Sequence, residues 1–343
     1  MRTALIVGVA GTELSRDEAQ FLKDARPAGF ILFARNLRDH AQIRALIADV
    51  RGAVGADDLL VLIDQEGGRV QRLRPPLGRA LPPAAAYGRL YTQDRDGAVA
   101  AAFEATRLLA ADLTELGINT DCAPVLDVPV PGAHDIIGDR AYGRTVEQVV
   151  ALARAVGEGF MAGGVVPVIK HIPGHGRATA DSHLALPVVT EAREELMATD
   201  FAPFRALNRM PAAMTAHVVF RDIDPGAPAS TSPIVTGEII RGAIGFDGLL
   251  MSDDLTMKAL SGPMRRRAEA VIAAGSDLAL HCSGDLKEMV EAAAGAGRLD
   301  SRAGARFDAA IKVTKATKPF DSGAAEAQLA KVLAFAAGTA ESV

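Results

Sequence analysis

Tryptophan is absent from these 343 residues, and tyrosine occurs only three times, at Tyr87, Tyr91 and Tyr142. That scarcity excludes a surface of stacked aromatic rows, the device by which proteins track long polysaccharides. Cysteine is nearly missing as well. Cys122 and Cys282 do not make a disulfide framework in a chain this long, so a reducing compartment suits it. Nor is there an excess of positive charge: 37 Lys and Arg face 42 Asp and Glu, for a formal net charge of −5. Nothing here attracts a polyanionic backbone or an anionic lipid surface, so neither nucleic acid nor membrane is expected as a partner. No apolar run approaches the ~20 residues that cross a bilayer. The first such run, residues 4–10, follows a single Arg2 and is barely as long as a secretory core of ~7–15 residues. It reads as a strand, and a cytoplasmic location is expected.

What is present is an aliphatic, alanine-rich chain, 49% hydrophobic and 23% charged, of ordinary globular composition. Short β-branched runs alternate with longer stretches of helical period, the signature of repeated strand–helix units and hence of a parallel sheet. The strand runs fall at 4–9, 29–33, 59–63, 118–125, 165–169, 213–218, 248–251 and 277–281. Eight is the number that closes a barrel. Helical patterns follow at 15–24, 41–54, 97–116, 146–161, 192–207, 237–243, 263–274 and 285–294. Ser15 ahead of Arg16-Asp17-Glu18, and Thr190-Glu191 ahead of the next glutamates, read as helix starts. No linker or low-complexity segment divides the chain. The expectation is an α/β protein: a single TIM-type (β/α)8 barrel domain over residues 1–343. The barrel runs to about 318, and a helical tail, 319–343 with an amphipathic pattern at 325–335, packs on its exterior.

Ionisable residues collect just after the strand runs, at the end where parallel barrels place active sites. Asp64, Asp127, Lys170 with His171, His217, Asp253 and His281 all stand there. One polar pocket accounts for all of them together. The segment 170–176 reads KHIPGHG, and Asp181-Ser182-His183 follows after a short gap. Pro173, Gly174 and Gly176 forbid helix here, and a loop carrying Asp and His is an acid/base device, since histidine exchanges protons near neutrality and an acidic neighbour fixes its tautomer. Asp253 emerges from an apolar strand run and suits a nucleophile, a metal ligand or a buried anion. Asp254, next to it, is expected to point elsewhere and to serve a helix start or a hydrogen bond. In DQEGGRVQR, residues 64–72, Asp64 is an acceptor for vicinal hydroxyls and Arg72 a forked donor, while Gly67-Gly68 can be only a tight turn.

With GFILFARN at 29–36, DQEGGRVQR at 64–72, IGDRAYG at 137–143, KHIPGHG at 170–176, DSH at 181–183 and SDDL at 252–255, the sequence resembles glycoside hydrolase family 3, in particular its single-domain bacterial β-N-acetylglucosaminidases of cell-wall recycling. The motifs span nearly the whole chain. The resemblance implies a retaining, exo-acting hydrolase that takes a small carbohydrate, a terminal β-linked N-acetylglucosamine on anhydro-muropeptides, and needs no metal or other cofactor. It makes Asp253 the nucleophile, His183 the general acid/base and Asp181 its orienting partner. By the same resemblance Asp64, Arg72, Arg140, Lys170 and His171 would hold the sugar's hydroxyls. Ile172 stands where many relatives carry Phe, and Gln65 where others carry His.

Other chemistries on the same barrel stay open from the residues alone. His171, His175, His183, His217 and Asp253 could serve a metal-dependent hydrolase, although no H-x-H or H-E-x-x-H spacing is present. Lys170 could serve a Schiff-base lyase if burial lowered its pKa. A sugar phosphorylase would use the same nucleophile with phosphate as acceptor, and a catalytically silent sugar-binding protein would use the binding residues alone.

Overall fold

The computed structural model describes residues 2–178 and 185–340. Among the described residues, eight strands make up the main sheet: β1 (Thr3–Gly8), β2 (Pro27–Leu32), β3 (Leu60–Ile63), β4 (Thr120–Asp121), β5 (Val166–Ile172), β6 (Ala212–Thr215), β7 (Leu249–Asp254) and β8 (Leu278–His281). Each lies parallel to the next, and β8 pairs with β1, so the sheet closes into the expected barrel. The strand runs read as continuously apolar because both faces are covered, one by the barrel interior and one by helices. Every side chain of β3 is buried. The strand expected at 118–125 pairs as a strand only at Thr120–Asp121. Pro124 has no N–H to give to a ladder, and Val125 rejoins the barrel through a single bridge to Lys170.

The helices Arg16–Ala25, His40–Val54, Arg95–Glu115, Val146–Ala162, Met264–Ala273 and Leu286–Ala296 stand close to where the periodicity put them. Ser15 caps the first with a full capping box, its hydroxyl accepting the Glu18 N–H at 3.2 Å while Glu18 accepts the Ser15 N–H at 2.9 Å. The helix expected at 192–207 is two short helices, Arg193–Ala198 and Ala202–Ala206, because Pro203 can begin a helix but not continue one. Its start also differs from expectation. Asp222 accepts the Arg193 N–H at 2.8 Å, and Glu191 turns instead to Arg177 at 3.2 Å. The pattern at 237–243 lies in a π-helical stretch, Val235–Ala243. Among the described residues, two α-helices have no counterpart in the expected pattern, Ala84–Tyr91 and Ser301–Val313. The tail forms the helix Ser322–Ala340. It buries Ala325, Leu329 and Val332 against the helices Ala84–Tyr91 and Arg95–Glu115. Among the described residues, no helix is long and apolar enough to cross a membrane.

Two strands carry an extra residue at their C-terminal ends. On β5, Lys170 pairs with Met214 but Ile172 with Thr215, which leaves His171 as the surplus. On β7, Met251 stands opposite Leu278 and Asp254 opposite Leu280, so β7 again has one residue more than its partner. The Ser252 hydroxyl accepts the Leu280 N–H at 3.1 Å where the ladder is interrupted. Such bulges break the alternation of side chains and re-aim those that follow.

The other end of β7 is pinned by Asp277, whose buried carboxylate accepts the Leu250 N–H at 2.8 Å and pairs with Arg241 at 2.8 Å and Arg306 at 2.9 Å. Asp277→Ala leaves the buried Leu250 N–H without its acceptor and takes one carboxylate from Arg241 and Arg306, which keep the Phe246 and Gly248 carbonyls and Asp247 respectively. The expected loss is roughly 1–3 kcal/mol of stability, read as a lower urea midpoint at unchanged m-value, with Asp277→Asn losing less because it still accepts from Leu250. An unchanged midpoint in the Ala variant contradicts this role.

Candidate active site

A cavity of about 260 Å³ opens at the C-terminal ends of the strands, near the small end of the ~300–1,000 Å³ typical of ligand pockets. Asp64, Arg72, Arg140, Lys170, His171 and Asp253 all line it. The residues that the motifs singled out from four separate stretches of chain are therefore brought together. Asp181 and His183 lie outside the described residues. The chain on either side of them is anchored: Arg177 pairs with Asp200 at 2.7 Å and Glu195 at 2.9 Å, and Val188–Val189 pairs with Val219–Phe220.

Burial of Lys170, only 2% exposed, organises one wall. Its Nζ lies 2.9 Å from Asp64 Oδ1 and 2.6 Å from Glu66 Oε1. Arg72 donates to the other oxygen of Asp64 at 2.9 Å, and Arg140 closes a fork on both oxygens of Glu66 at 2.8 Å each. The result is an alternating chain, Arg72–Asp64–Lys170–Glu66–Arg140. Burial alone disfavours the charges on Asp64, Glu66, Lys170 and Arg140, yet for each of these four the partners outweigh that penalty. Asp64 is held well below the usual carboxylate range by Lys170 and Arg72, and Glu66 at about 2 by Arg140 and Lys170. Against the pull of burial, Asp64 and Glu66 hold the Lys170 ammonium above its ordinary value. A lysine that keeps its proton is no amine nucleophile, which removes the basis of a Schiff-base lyase.

Glu66 is the member that the sequence reading did not assign. A signal existed, because residues two apart on an extended chain share a face, as Asp64 and Glu66 do here. The segment forms a small hairpin, Gln65–Gly67 with Val70–Gln71. Gly67 and Gly68 turn it with φ of 100° and 55°, and a Cβ on Gly67 would meet Pro82 O at 2.4 Å. The glycines are thus a tight turn, and that turn carries the charge cluster. Phe33 completes the rim, with the Arg35 and Arg72 guanidiniums over its ring at 4.8 and 5.2 Å.

Asp127, fully buried, organises the second wall. Its Oδ2 lies 2.7 Å from His171 Nδ1, and its Oδ1 accepts the His175 N–H at 2.7 Å. Burial opposes the charge of Asp127, but His171 beside it outweighs that and holds the carboxyl below its ordinary value. The His175 ring lies 5.6 Å from that of His171. Burial, then His171, pushes its imidazole down to about 4, against the pull of Asp127 and Asp253. Gly176 closes the segment against the chain after β4, since a Cβ there would lie 2.1 Å from Val128 O.

Asp253 reaches the cavity from the β7 bulge, and its Oδ1 accepts the Asp254 N–H at 2.8 Å. Asp254 was expected to point elsewhere. It lines the cavity too, because the bulge interrupts the alternation on which that expectation rested. Its carboxylate nonetheless has the expected hydrogen-bonding role, accepting from Thr256 N at 3.0 Å and Cys282 N at 3.1 Å. His217 stands behind it, fully buried. Its Nε2 is 3.0 Å from the Asp254 carbonyl, which can only accept, so Nε2 carries the proton and Nδ1 accepts the Ser230 hydroxyl at 2.6 Å. Burial keeps this imidazole below its ordinary pKa in spite of Asp253. His281 bonds to Glu288 and Ser283, each at 3.2 Å, and lines no part of the cavity. Both histidines brace. For the zinc reading, His171 Nδ1 and both ring nitrogens of His217 are already engaged, and among the described residues no three His, Cys, Asp or Glu side chains are grouped as metal ligands.

A family model for the glycosyl hydrolase family 3 N-terminal domain matches residues 4–313. A β-hexosaminidase of Alkalilimnicola ehrlichii is 42% identical over 283 residues, 81% of this chain and 80% of its own. NagZ from Neisseria gonorrhoeae, solved in complex with N-trifluoroacetyl-D-glucosamine, superposes with a TM-score of 0.84 at 34% identity, covering 98% of this chain and 97% of that one. A family 3 β-N-acetylglucosaminidase from Paenibacillus gives 0.85 at 32% identity over 96% of this chain, which spans 66% of that protein.

Because Glu66 is held at about 2 against an ordinary 4.5, its ion pairs contribute roughly 3 kcal/mol above pH ~4.5, and that contribution is lost as pH falls toward 2. Glu66→Gln is therefore expected to melt well below the wild type at pH 7, with the gap closing as pH drops from about 5 to 3. A gap that is constant with pH would contradict the charge assignment.

Proposed function

The chain belongs to glycosyl hydrolase family 3, and from that premise we propose that it is a retaining, exo-acting β-N-acetylglucosaminidase working as one catalytic domain. The observation that carries the reading is the convergence of Asp64, Arg72, Arg140, Lys170, His171 and Asp253 on a cavity with room for one sugar ring. Carboxylates held ionised and cations held protonated, all at fixed positions, suit a ring of hydroxyl groups, each of which donates and accepts. The β-hexosaminidase activity of relatives and the glucosamine derivative bound by the Neisseria protein support the acetamido sugar as substrate.

In the reaction, the Asp253 carboxylate attacks the anomeric carbon while His183 gives its proton to the departing glycosidic oxygen, leaving a glycosyl ester on Asp253. His183 then takes a proton from water, whose oxygen displaces Asp253 and regenerates the free carboxylate. Two displacements at one carbon retain its configuration. Asp181 orients His183 and stabilises its charged form. Asp64, Arg72, Arg140, Lys170 and His171 hold the sugar while bonds change at its anomeric carbon. The neutral His217 holds the β7 end through the Asp254 carbonyl, next to the Asp253 nucleophile. The substrate class is a terminal β-linked N-acetylglucosamine on peptidoglycan fragments, anhydro-muropeptides, met in the cytoplasm.

Turnover of an aryl β-N-acetylglucosaminide beside the matching β-glucoside tests this. Activity is expected on the acetamido sugar with the β-anomer released first by NMR, and Asp253→Ala is expected to lose at least about 10³-fold in kcat. His183→Ala should lose more on a poor alkyl leaving group than on an activated aryl one, because only the former needs the proton. Release of the α-anomer, or an active Asp253→Ala, rules the mechanism out.

A further inference from the structure

The buried charge does not end at Glu66. Asp121, on β4, is completely buried beneath the cluster and lines no part of the cavity. Its Oδ1 accepts the Gln65 N–H at 3.0 Å, and its Oδ2 has no hydrogen-bond partner among the described residues. Gln65 is itself the clasp of the hairpin. Its Oε1 accepts from Arg72 N and Leu73 N, both at 2.9 Å, and its Nε2 donates to Leu73 O at 2.9 Å. Asp121 thus stands at the root of the segment that carries Asp64, Glu66 and Arg72.

We infer that Asp121 is a positioning residue for the sugar-binding cluster: through the Gln65 N–H it fixes the hairpin where Asp64 and Glu66 share Lys170 and Arg72 reaches Asp64. The inference rests on the glycosidase reading of this cavity. The position asks for an uncharged carboxyl. An anion there would be dry, with one oxygen unsatisfied, beside two other carboxylates. The groups that face it are Lys170 on β5, Asp64 and Glu66 after β3, its neighbour Cys122, and Tyr142 after β4. Lys170 is already committed to Asp64 and Glu66. Burial pushes the Asp121 carboxyl up to about 8, against the Gln65 N–H and Lys170. Ionisation above that pH sets a third negative charge beside Lys170 and draws it from the two carboxylates it holds. An amide has the shape of the protonated acid, with an oxygen for the Gln65 N–H and no charge.

The test is kcat and KM for an aryl β-N-acetylglucosaminide, with Ki for N-acetylglucosamine, from about pH 5.5 to 9.5 in the wild type, Asp121→Asn and Asp121→Ala. Asp121→Asn is expected to keep KM and Ki within about twofold at pH 7 and to lose the rise in KM that the wild type shows above about pH 8. Asp121→Ala, without an acceptor for Gln65, is expected to raise KM and Ki about tenfold with a smaller change in kcat. Stability supplies a readout independent of turnover. A carboxyl whose pKa rises on folding removes stability as pH climbs from its unfolded to its folded value, so Asp121→Asn should out-melt the wild type by a margin growing from about pH 4 to 8. The inference is overturned if Asn impairs binding as Ala does, if Ala binds like the wild type, or if the alkaline rise in KM persists in Asn. Should the Ala variant not fold, the Asn variant decides alone. A wild type that does not turn over the acetamido sugar strikes the glycosidase reading instead.

Discussion

One buried ammonium group sets the terms for the whole top of the barrel. Lys170 is removed from water at the end of β5, and an isolated ion there would cost several kcal/mol. It is tolerable only because Asp64 and Glu66 come to it, and those two belong to a different strand end and its hairpin. Each carboxylate then needs a further partner, and takes Arg72 from the hairpin's far side and Arg140 from the turn after β4. Satisfying a single charge therefore fixes two loops against one strand end, although the three share no local sequence. The same geometry leaves charged oxygens and guanidinium forks at the cavity wall, so the arrangement that stabilises the ion is also the one that can read hydroxyl groups.

The second constraint is geometric. A regular strand sends consecutive side chains to opposite faces, which would give the cavity either Lys170 or His171, and either Asp253 or Asp254. The bulges on β5 and β7 lift that restriction at the two strand ends where the cavity has both members of a pair. Each extra residue costs a ladder bond, offset on β7 by the Ser252 hydroxyl. A barrel built for rigidity thereby presents adjacent residues side by side without a flexible loop.

These features explain what could and could not be read from the sequence. The eight apolar runs were legible because burial on both faces leaves a continuous signal, and the ionisable residues at their ends were legible because a parallel barrel puts all such ends at one rim. Pro203 was visible as a break inside 192–207 and was outweighed there by the surrounding helical period, which only the structure resolves into two helices. The helix Ser301–Val313, capped by Asp300 and burying Phe307 and Ile311, escaped because it follows the last barrel unit and no strand run leads into it. Glu66 and Asp121 escaped for a different reason. Their roles arise from neighbours over 50 residues away, Asp121 to Gln65 and Glu66 to Arg140, and no local period encodes a contact of that range. The bulges, likewise, depend on the partner strand's register rather than on the residues that bulge.

The role proposed for the Lys170-centred cluster is to hold a single terminal sugar with its anomeric carbon at Asp253. A crystal structure of Asp253→Ala with a β-linked N-acetylglucosaminyl disaccharide tests it most directly. The non-reducing sugar is expected in this cavity, its hydroxyls within hydrogen-bond distance of Asp64, Arg72 and Lys170, and its anomeric carbon facing the end of β7. A disaccharide seated elsewhere, or one whose anomeric carbon points away from position 253 while other residues hold its hydroxyls, would contradict it.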